Sequence, residues 1–168
     1  MKIKIINISF LITILLLAFY AFFIEPNALE VTNYKIKDKD LAGLKIVYAS
    51  DFHIKPHQNR QLKNIVEKIN AQNPDIVLYG GDFVSGHISG LTMPIDKIAT
   101  ELGKVKSKYG IFSCIVNHDL WFDLDTVTNA LEKNNIKVYR TDLNGNIILT
   151  TDGEKIKIEV EKINGSNS

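Results

Sequence analysis

Polar side chains that can bind metals or transfer protons follow three short apolar runs of this 168-residue sequence. They form the segments Ser50–His53, Gly80–Phe83 and Val116–Asp119, which supply carboxylate, imidazole and amide groups. If the apolar runs are parallel strands, their carboxyl ends lie at one edge of a sheet, where α/β proteins bind ligands. The three segments therefore predict a single site at that edge.

The residue types and spacings in these segments favour a site with two metal ions. Asp51 and His53 are two positions apart, and in an extended chain such residues point to the same side and can bind one ion. Asp82 follows two glycines, which allow a close backbone approach, and a carboxylate there can bridge ions about 3.5–4 Å apart. Asn117 offers an amide oxygen, and mixed nitrogen and oxygen ligands suit Mn, Fe or Zn. His118 can then face a substrate as an acid or a charge stabiliser.

Each of these residues also has a purely structural explanation. A single Asp after a strand is usually a turn or helix cap, and a single His there is usually only hydrogen-bonded. The metal interpretation therefore depends on finding all three segments at successive strand ends.

Four other reactive or aromatic side chains are interpreted conservatively. His57 and His87 are expected to be exposed loop residues, because loops normally run over the surface. Cys114 lies in an apolar run and is expected to be a small buried side chain rather than a reactive thiol. Trp121 follows the third segment, so it either lines a substrate cleft or simply packs against its neighbours.

Alternating strand and helix patterns surround the three segments. Short β-branched runs predict strands at Leu44–Ala49, Asp75–Tyr79, Gly110–Val116 and Ile136–Tyr139. Helical spacing of apolar residues predicts helices over Leu62–Asn70, Pro94–Val105 and Asp123–Asn134. This alternation predicts an α/β fold with a mainly parallel sheet flanked by helices. A C-terminal hairpin is expected, from Asn146–Thr151 to Glu154–Glu161 through Asp152-Gly153.

An uncharged apolar run, Ile5–Ile24, precedes this domain. Its twenty residues as a helix would span about 30 Å, the thickness of the hydrocarbon core of a bilayer. Lys2 and Lys4 precede the run, so the positive-inside tendency places the N-terminus in the cytoplasm and the domain outside. We therefore expect a single-pass transmembrane anchor, with a cleaved signal peptide or a buried core helix as the alternatives.

The chain is thus predicted to have three parts. Residues 1–24 form the membrane anchor, residues 25–43 form a spacer with one strand around Val31–Ile36, and residues 44–168 form the α/β domain. A net charge of +1 and a pI near 7.8 argue against a nucleic-acid binder. A single cysteine excludes an internal disulfide framework.

The three segments resemble a known family. Asp51-Phe52-His53, the run GGDFVSG from Gly80 and the run VNHD from Val116 are similar to the D-x-H, G-D and G-N-H-[DE] blocks of the calcineurin-like metallophosphoesterases. The resemblance covers about Glu25 to Tyr139. Together with the apolar N-terminal run, this part of the chain resembles the membrane-associated bacterial branch of the family. It implies an α/β sandwich with a two-metal centre that hydrolyses phosphomonoesters or phosphodiesters.

The resemblance implies a role for each motif residue. Asp51 and His53 would bind the first of two divalent ions, Mn, Fe or Zn. Asp82 would bridge the two ions, and Asn117 would bind the second. His118 would stabilise or protonate the leaving group. The substrate is expected to be a phosphoester, and a lipid-linked or cell-envelope one would suit an anchored enzyme.

Three departures from the family pattern carry expectations of their own. Val116 replaces the usual glycine, and because a β-branched residue does not easily adopt positive φ, the loop that carries Asn117 is expected to be displaced or strained. Ser85 replaces a carboxylate that orients the catalytic His, and with Asp119 it is expected to lie near the ligands or the substrate. No histidine follows His118, so the G-H-x-H block of the family is missing and the chain is expected to hold the N-terminal half of the sandwich.

These departures leave a second function open. The chain would then be a truncated or decayed, non-catalytic relative that at most binds a metal weakly or acts as an anchored binding domain. A third interpretation, a nucleotide-binding α/β domain, fits the alternation of elements. It lacks support, because neither GGDFVSG nor HISG matches a glycine-rich phosphate-binding loop.

Overall fold

The computed structural model describes residues 2–25, 28–37, 43–86, 90–152 and 154–161, and it describes side chains from residue 8 onward. The chain divides into two compact units, Met1–Ile36 and Lys37–Ser168. His87 and Gly153 lie outside the described residues, so the expectations for this histidine and for the Asp-Gly turn are not addressed.

The N-terminal unit contains helix α1, Lys2–Phe19, which continues as a π-helical segment, Tyr20–Ile24. Its described side chains from Ile8 to Ile24 are almost all exposed. Within the ranges described, no helix combines the length and hydropathy needed to cross a bilayer, so the transmembrane helix predicted over residues 5–24 is not confirmed.

The strand expected around Val31–Ile36 does not form. Residues 28–37 have neither helical nor strand conformation, and Tyr34 and Ile36 are fully exposed. The alternation of apolar and polar residues here resembles a strand, but a strand needs a partner for its backbone groups and this segment has none in the described sheets.

The second unit is built on a four-stranded sheet with all strands parallel, as predicted. The strands are β1 (Ile46–Ala49), β2 (Ile76–Tyr79), β3 (Ile111–Cys114) and β4 (Ile136–Tyr139). They lie in the order β1-β2-β3-β4. The helices are α2 (Asn59–Ala71), α3 (Ile95–Leu102), α4 (Asn117–Lys133) and the short α5 (Thr141–Asn144).

One face of this sheet packs against the helices. Val47, Val77, Ile111 and Ile136 lie side by side across the four strands. They form one apolar cluster with side chains of the three long helices, namely Leu62, Val66, Ile98, Leu102, Val127 and Leu131. Tyr48, the residue after Val47 on β1, points to the opposite face of the sheet and is 66% exposed. Burial of one face holds the sheet and helices together and fixes the positions of the strand ends.

The predicted C-terminal hairpin is confirmed. Strands β5 (Ile147–Thr151) and β6 (Ile156–Val160) pair antiparallel as a separate two-stranded sheet.

Helix α4 begins earlier than predicted. The backbone of Asp123 is extended (φ −178°, ψ 104°) and interrupts the helix. Its carboxylate accepts hydrogen bonds from the amides of Asp125 and Thr126, at 3.1 and 3.2 Å, so the predicted start at Asp123 marks the cap of the second part. The first part, from Asn117, carries the third motif on a helical turn, whereas the sequence placed it in a loop.

Candidate metal centre

Backbone hydrogen bonds bring the first two motifs together beyond the ends of β1 and β2. The amide of Asp51 donates to the carbonyl of Gly81 at 3.2 Å, and the amide of His53 donates to the carbonyl of Asp82 at 3.0 Å. The two motifs are therefore held side by side at the carboxyl edge of the sheet, where the sequence placed them.

The backbone at these motifs is not extended. Asp51, His53 and Asp82 have φ values of +57°, +40° and +58°, in the left-handed region that non-glycine residues seldom adopt. The assumption of an extended chain at Asp51 and His53 is therefore wrong, and their joint binding of one ion stays a prediction. Three such residues next to one another are typical of a functional site, where the surrounding structure holds the strain.

Three side chains converge at this edge. One nitrogen each of His53 and His118 and one carboxylate oxygen of Asp82 all lie within 4.8 Å of one another. Nε2 of His53 lies 3.6 Å from Oδ2 of Asp82, whose side chain is only 13% exposed. The rings of His53 and His118 meet edge to face, with centroids 4.8 Å apart. We call these three residues the His–Asp–His cluster.

The hydrogen bonds of His53 leave its second nitrogen facing the cluster. Nδ1 lies 2.9 Å from the carbonyl oxygen of Val84, which can only accept, so Nδ1 carries a hydrogen. In a neutral ring Nε2 then presents a lone pair to Asp82, and two acceptors that face each other favour a positive charge between them, either a proton or a metal ion. A backbone carbonyl that fixes the tautomer of a metal-binding histidine is a common arrangement in metalloproteins. The donor set of two imidazoles and a carboxylate thus fits Mn, Fe or Zn.

The other two predicted ligands, Asp51 and Asn117, belong to the same motifs as His53 and His118. Asp51 is exposed, and its carboxylate accepts a hydrogen bond of 2.6 Å from the hydroxyl of Ser50. Asn117 is exposed at the first residue of α4. Their roles as ligands stay predictions.

His118 is held between aromatic rings and a glycine. Its ring centroid lies 5.0 Å from that of Trp121. Its Nδ1 is buried and has no hydrogen-bond partner in the described part of the chain. Gly86 adopts φ +83°, and a Cβ atom there would approach this nitrogen to 3.2 Å. The ring is therefore closely packed, and Trp121, which is exposed, borders the cluster.

Asp119, the last residue of the third motif, connects this motif to the second one through backbone hydrogen bonds. Its side chain is fully buried, and it accepts hydrogen bonds from the amides of Asp82 at 2.8 Å and Phe83 at 2.9 Å. Burial raises the pKa of this carboxyl, and the backbone amides that donate to it oppose the rise. The expectation that Asp119 lies near the ligands is consistent with these contacts.

The predicted strain at Val116 is absent. Val116 has φ −128° and ψ −174°, an extended conformation that suits a β-branched residue. Positive φ occurs instead at Gly81 (+86°), where a Cβ atom would lie 2.6 Å from Cγ2 of Val116. The loop geometry is thus compatible with valine, because the glycine opposite leaves room for its side chain.

The sequence match decides the family. The sequence model of the calcineurin-like phosphoesterases matches residues 44–166, which include all three motifs. This chain belongs to the calcineurin-like phosphoesterase family.

Relatives of this chain include a transmembrane protein and a pyrophosphatase. The chain is 33% identical over 112 residues to a transmembrane protein with metallophosphoesterase domain of Danio rerio, covering 61% of this chain and 25% of that protein. It is 35% identical over 102 residues to the UDP-2,3-diacylglucosamine pyrophosphatase LpxG of Chlamydia trachomatis. This match covers 57% of this chain and 30% of that protein. It is 31% identical over 119 residues to the uncharacterized metallophosphoesterase Cj0846 of Campylobacter jejuni. This match covers 67% of this chain and 30% of that protein. The chain spans about a quarter to a third of the length of these relatives.

The remaining candidate side chains of this calcineurin-like phosphoesterase lie outside the cluster. His57 is exposed, as expected for a loop residue. Cys114 is half-buried, and burial raises the pKa of its thiol, which fits a packing role rather than a reactive one. Ser85 is half-buried beside Gly86, and its proposed role stays a prediction.

Sequence reasoning missed two features of the site. It treated His118 only as an acid or charge stabiliser, although the ring belongs to the same cluster as His53 and Asp82. It also missed the carbonyl of Val84 that orients His53. The Asn-His pair after β3 was a signal for the first feature, whereas a backbone carbonyl has no signal in the sequence.

Proposed function

We propose that this chain is a metal-dependent phosphoesterase that hydrolyses phosphomonoesters or phosphodiesters. The observation that carries the proposal is Nε2 of His53 facing the carboxylate of Asp82, with His118 completing the cluster. This arrangement favours a bound cation at the place where the family motifs meet.

The proposed centre takes its ligands from all three motifs. His53 through Nε2 and Asp82 through its carboxylate would hold a Mn, Fe or Zn ion. Asp51 would bind this ion together with His53, and Asn117 would bind a second ion that shares Asp82. Bound ions of this kind polarise phosphoryl oxygens and activate water for attack on phosphorus.

His118 has the position of a proton donor in this proposal. Its ring is packed between His53 and Trp121, so its orientation is restricted. A histidine held in this way next to the reacting phosphate would protonate the leaving oxygen or stabilise its charge.

We also propose that the domain is attached to a membrane and acts outside the cytoplasm. Support comes from the uncharged run Ile5–Ile24 with its exposed apolar side chains and from the two lysines that precede it. One relative is named a transmembrane protein and another a diacylglucosamine pyrophosphatase, so an acylated phosphoester is a suitable substrate class. Membrane fractionation with alkaline carbonate, with and without residues 2–24, tests attachment. Recovery of the full chain in the soluble fraction would contradict it.

The catalytic proposal is tested with the full chain, p-nitrophenyl phosphate and bis-p-nitrophenyl phosphate, each with Mn²⁺, Fe²⁺ or Zn²⁺. We expect turnover by the wild type, loss of it in Asp82→Asn, and retention in Asp96→Asn, a matched change at an exposed aspartate in the first turn of α3. Folding of each variant is checked by circular dichroism.

Two results would contradict catalysis. The first is the absence of turnover by folded wild type with every ion and both esters. The second is equal turnover by Asp82→Asn. Metal binding without turnover would favour the non-catalytic alternative.

A further inference from the structure

Asp119 is the one charged residue among the fully buried side chains of the described ranges. A buried carboxylate needs hydrogen-bond donors, and here the backbone supplies them. Oδ2 accepts the amide of Asp82 at 2.8 Å and, more weakly, that of Val116 at 3.4 Å. Oδ1 accepts the amide of Phe83 at 2.9 Å. The side chain thus connects the start of α4 to the turn after β2.

The two short bonds lie on either side of the Cα atom of Asp82. Fixing the amide that precedes and the amide that follows a residue restricts both of its backbone dihedrals. Asp82 has φ +58°, in the left-handed region that few non-glycine residues adopt and that carries a conformational cost. Asp119 accepts hydrogen bonds from both amides that flank this residue, so it favours this backbone conformation.

The side chain of Asp82 is held from the same helical turn. Its Oδ1 lies 3.3 Å from the amide of His118, while Oδ2 faces Nε2 of His53 at 3.6 Å. Adjacent residues of α4 therefore contact Asp82 in two ways, His118 through the carboxylate and Asp119 through the backbone.

We infer that Asp119 is a positioning residue, which sets the direction of the Asp82 carboxylate toward the metal ion through the amides of Asp82 and Phe83. The inference rests on the proposed function, because it assigns Asp82 to the metal. Asp119 itself contacts neither the ion nor the substrate. Its effect on metal binding is separate from its contribution to folding.

The test compares Asp119→Asn with Leu131→Ala, a change in the core cluster that destabilises the fold away from the site. The asparagine is nearly isosteric, but its NH₂ group would face a backbone amide that is itself a donor. Zn²⁺ affinity is measured by calorimetry on the full chain, at a temperature where circular dichroism shows each variant folded. We expect Asp119→Asn to weaken Zn²⁺ binding roughly 10–100-fold, the loss typical of an outer-sphere partner, and Leu131→Ala to leave it within about twofold of wild type.

A second readout needs no metal. In ¹H–¹⁵N spectra of the apo protein, the amide resonances of Asp82 and Phe83 should shift in Asp119→Asn and stay in place in Leu131→Ala. Equal Zn²⁺ affinity of wild type and Asp119→Asn, with a lowered Tm, would show a structural role only and overturn the inference.

Two further measurements keep the outcomes distinct. If Asp119→Asn does not fold, hydrogen exchange of the backbone amides is measured in the wild type instead. Zn²⁺ binding to Asp82 should slow exchange at the amides of Asp82 and Phe83. Unchanged exchange at these amides would overturn the inference. If wild type binds no Zn²⁺, the proposed function fails and the inference fails with it. If wild type binds and only the variant comparison is negative, the inference alone fails.

Discussion

Nε2 of His53 lies 3.6 Å from Oδ2 of Asp82, while Nδ1 of the same ring lies 2.9 Å from the carbonyl oxygen of Val84. The carbonyl fixes the tautomer, so the lone pair of Nε2 faces the carboxylate. Neither group can donate to the other while the ring is neutral. The pair is therefore arranged for a cation, and this relationship gives the first prediction.

Replacing His53 should weaken metal binding. In His53→Gln the ring nitrogen is lost, so we expect Mn²⁺ and Zn²⁺ affinity to fall by at least the roughly 10–100-fold that an outer-sphere change costs. Calorimetric titration measures the change. His57→Gln is the matched control, because His57 is exposed and lies outside the cluster. Equal affinity of the His53 variant and the control would contradict the assignment.

The second prediction separates two roles of His118. If this residue donates a proton to the leaving oxygen, His118→Asn should slow hydrolysis of an alkyl phosphoester by about 10²–10⁴-fold. Hydrolysis of the p-nitrophenyl ester should slow much less, because p-nitrophenolate leaves without protonation. Steady-state rates with both esters, at saturating metal, measure this difference. A loss of metal affinity with equal slowing of both esters would instead identify His118 as a ligand.

The third prediction concerns Gly81, which faces Val116 at the turn before Asp82. Gly81→Ala introduces a side chain at φ +86°, which costs about 1–2 kcal/mol, and its Cβ would lie 2.6 Å from Cγ2 of Val116. Gly90→Ala is the matched control, since Gly90 has the same φ of +86° and no atom of the described residues lies within 4 Å of the added Cβ. We expect Gly81→Ala to lower the free energy of unfolding in urea more than Gly90→Ala does.

A double-variant cycle isolates the contact with Val116. Combining Gly81→Ala with Val116→Ala should recover the part of the loss that comes from the clash, a coupling of about 0.5–3 kcal/mol. The part that comes from positive φ should persist. Strictly additive effects would show that the two residues do not touch.

Much of the fold could be predicted because its signals are local and repeated. Burial of one sheet face and one side of each helix imposes the apolar spacing from which the strands β1 to β4 and the helices α2 and α3 were predicted. The second part of α4 was predicted from the same apolar spacing. The strand expected at Val31–Ile36 was wrong, since a strand depends on a distant partner that its own sequence does not encode.

The candidate site could be predicted only in part, for a related reason. The meeting of His53, Asp82 and His118 follows from parallel strands whose carboxyl ends share an edge. The direction of each side chain depends on backbone dihedrals, and Asp51 and His53 have positive φ where an extended chain was expected. Contacts made by backbone atoms, such as the carbonyl of Val84, do not depend on residue type and leave no pattern to read.

The last prediction concerns the cap of the second part of α4 and its dependence on pH. The carboxylate of Asp123 accepts hydrogen bonds from the amides of Asp125 and Thr126 and from the hydroxyl of Thr126, at 2.8 to 3.2 Å. These bonds, those of Thr126 above all, lower the pKa of Asp123. A carboxyl whose pKa is lower in the folded state stabilises the fold above its unfolded pKa, and this stabilisation is lost as the pH falls through the folded value.

We therefore expect Asp123→Ala to lower the Tm at pH 7, because the helix loses its cap. The difference from wild type should shrink once the pH falls below about 4. Asp123→Asn is the control, since asparagine caps a helix about as well as aspartate and does not titrate. Its Tm should stay near that of wild type at pH 7 and rise relative to wild type on acidification. Thermal unfolding followed by circular dichroism from pH 3 to 7 measures these differences, and a Tm gap between wild type and Asp123→Ala that does not change with pH would contradict a charged cap.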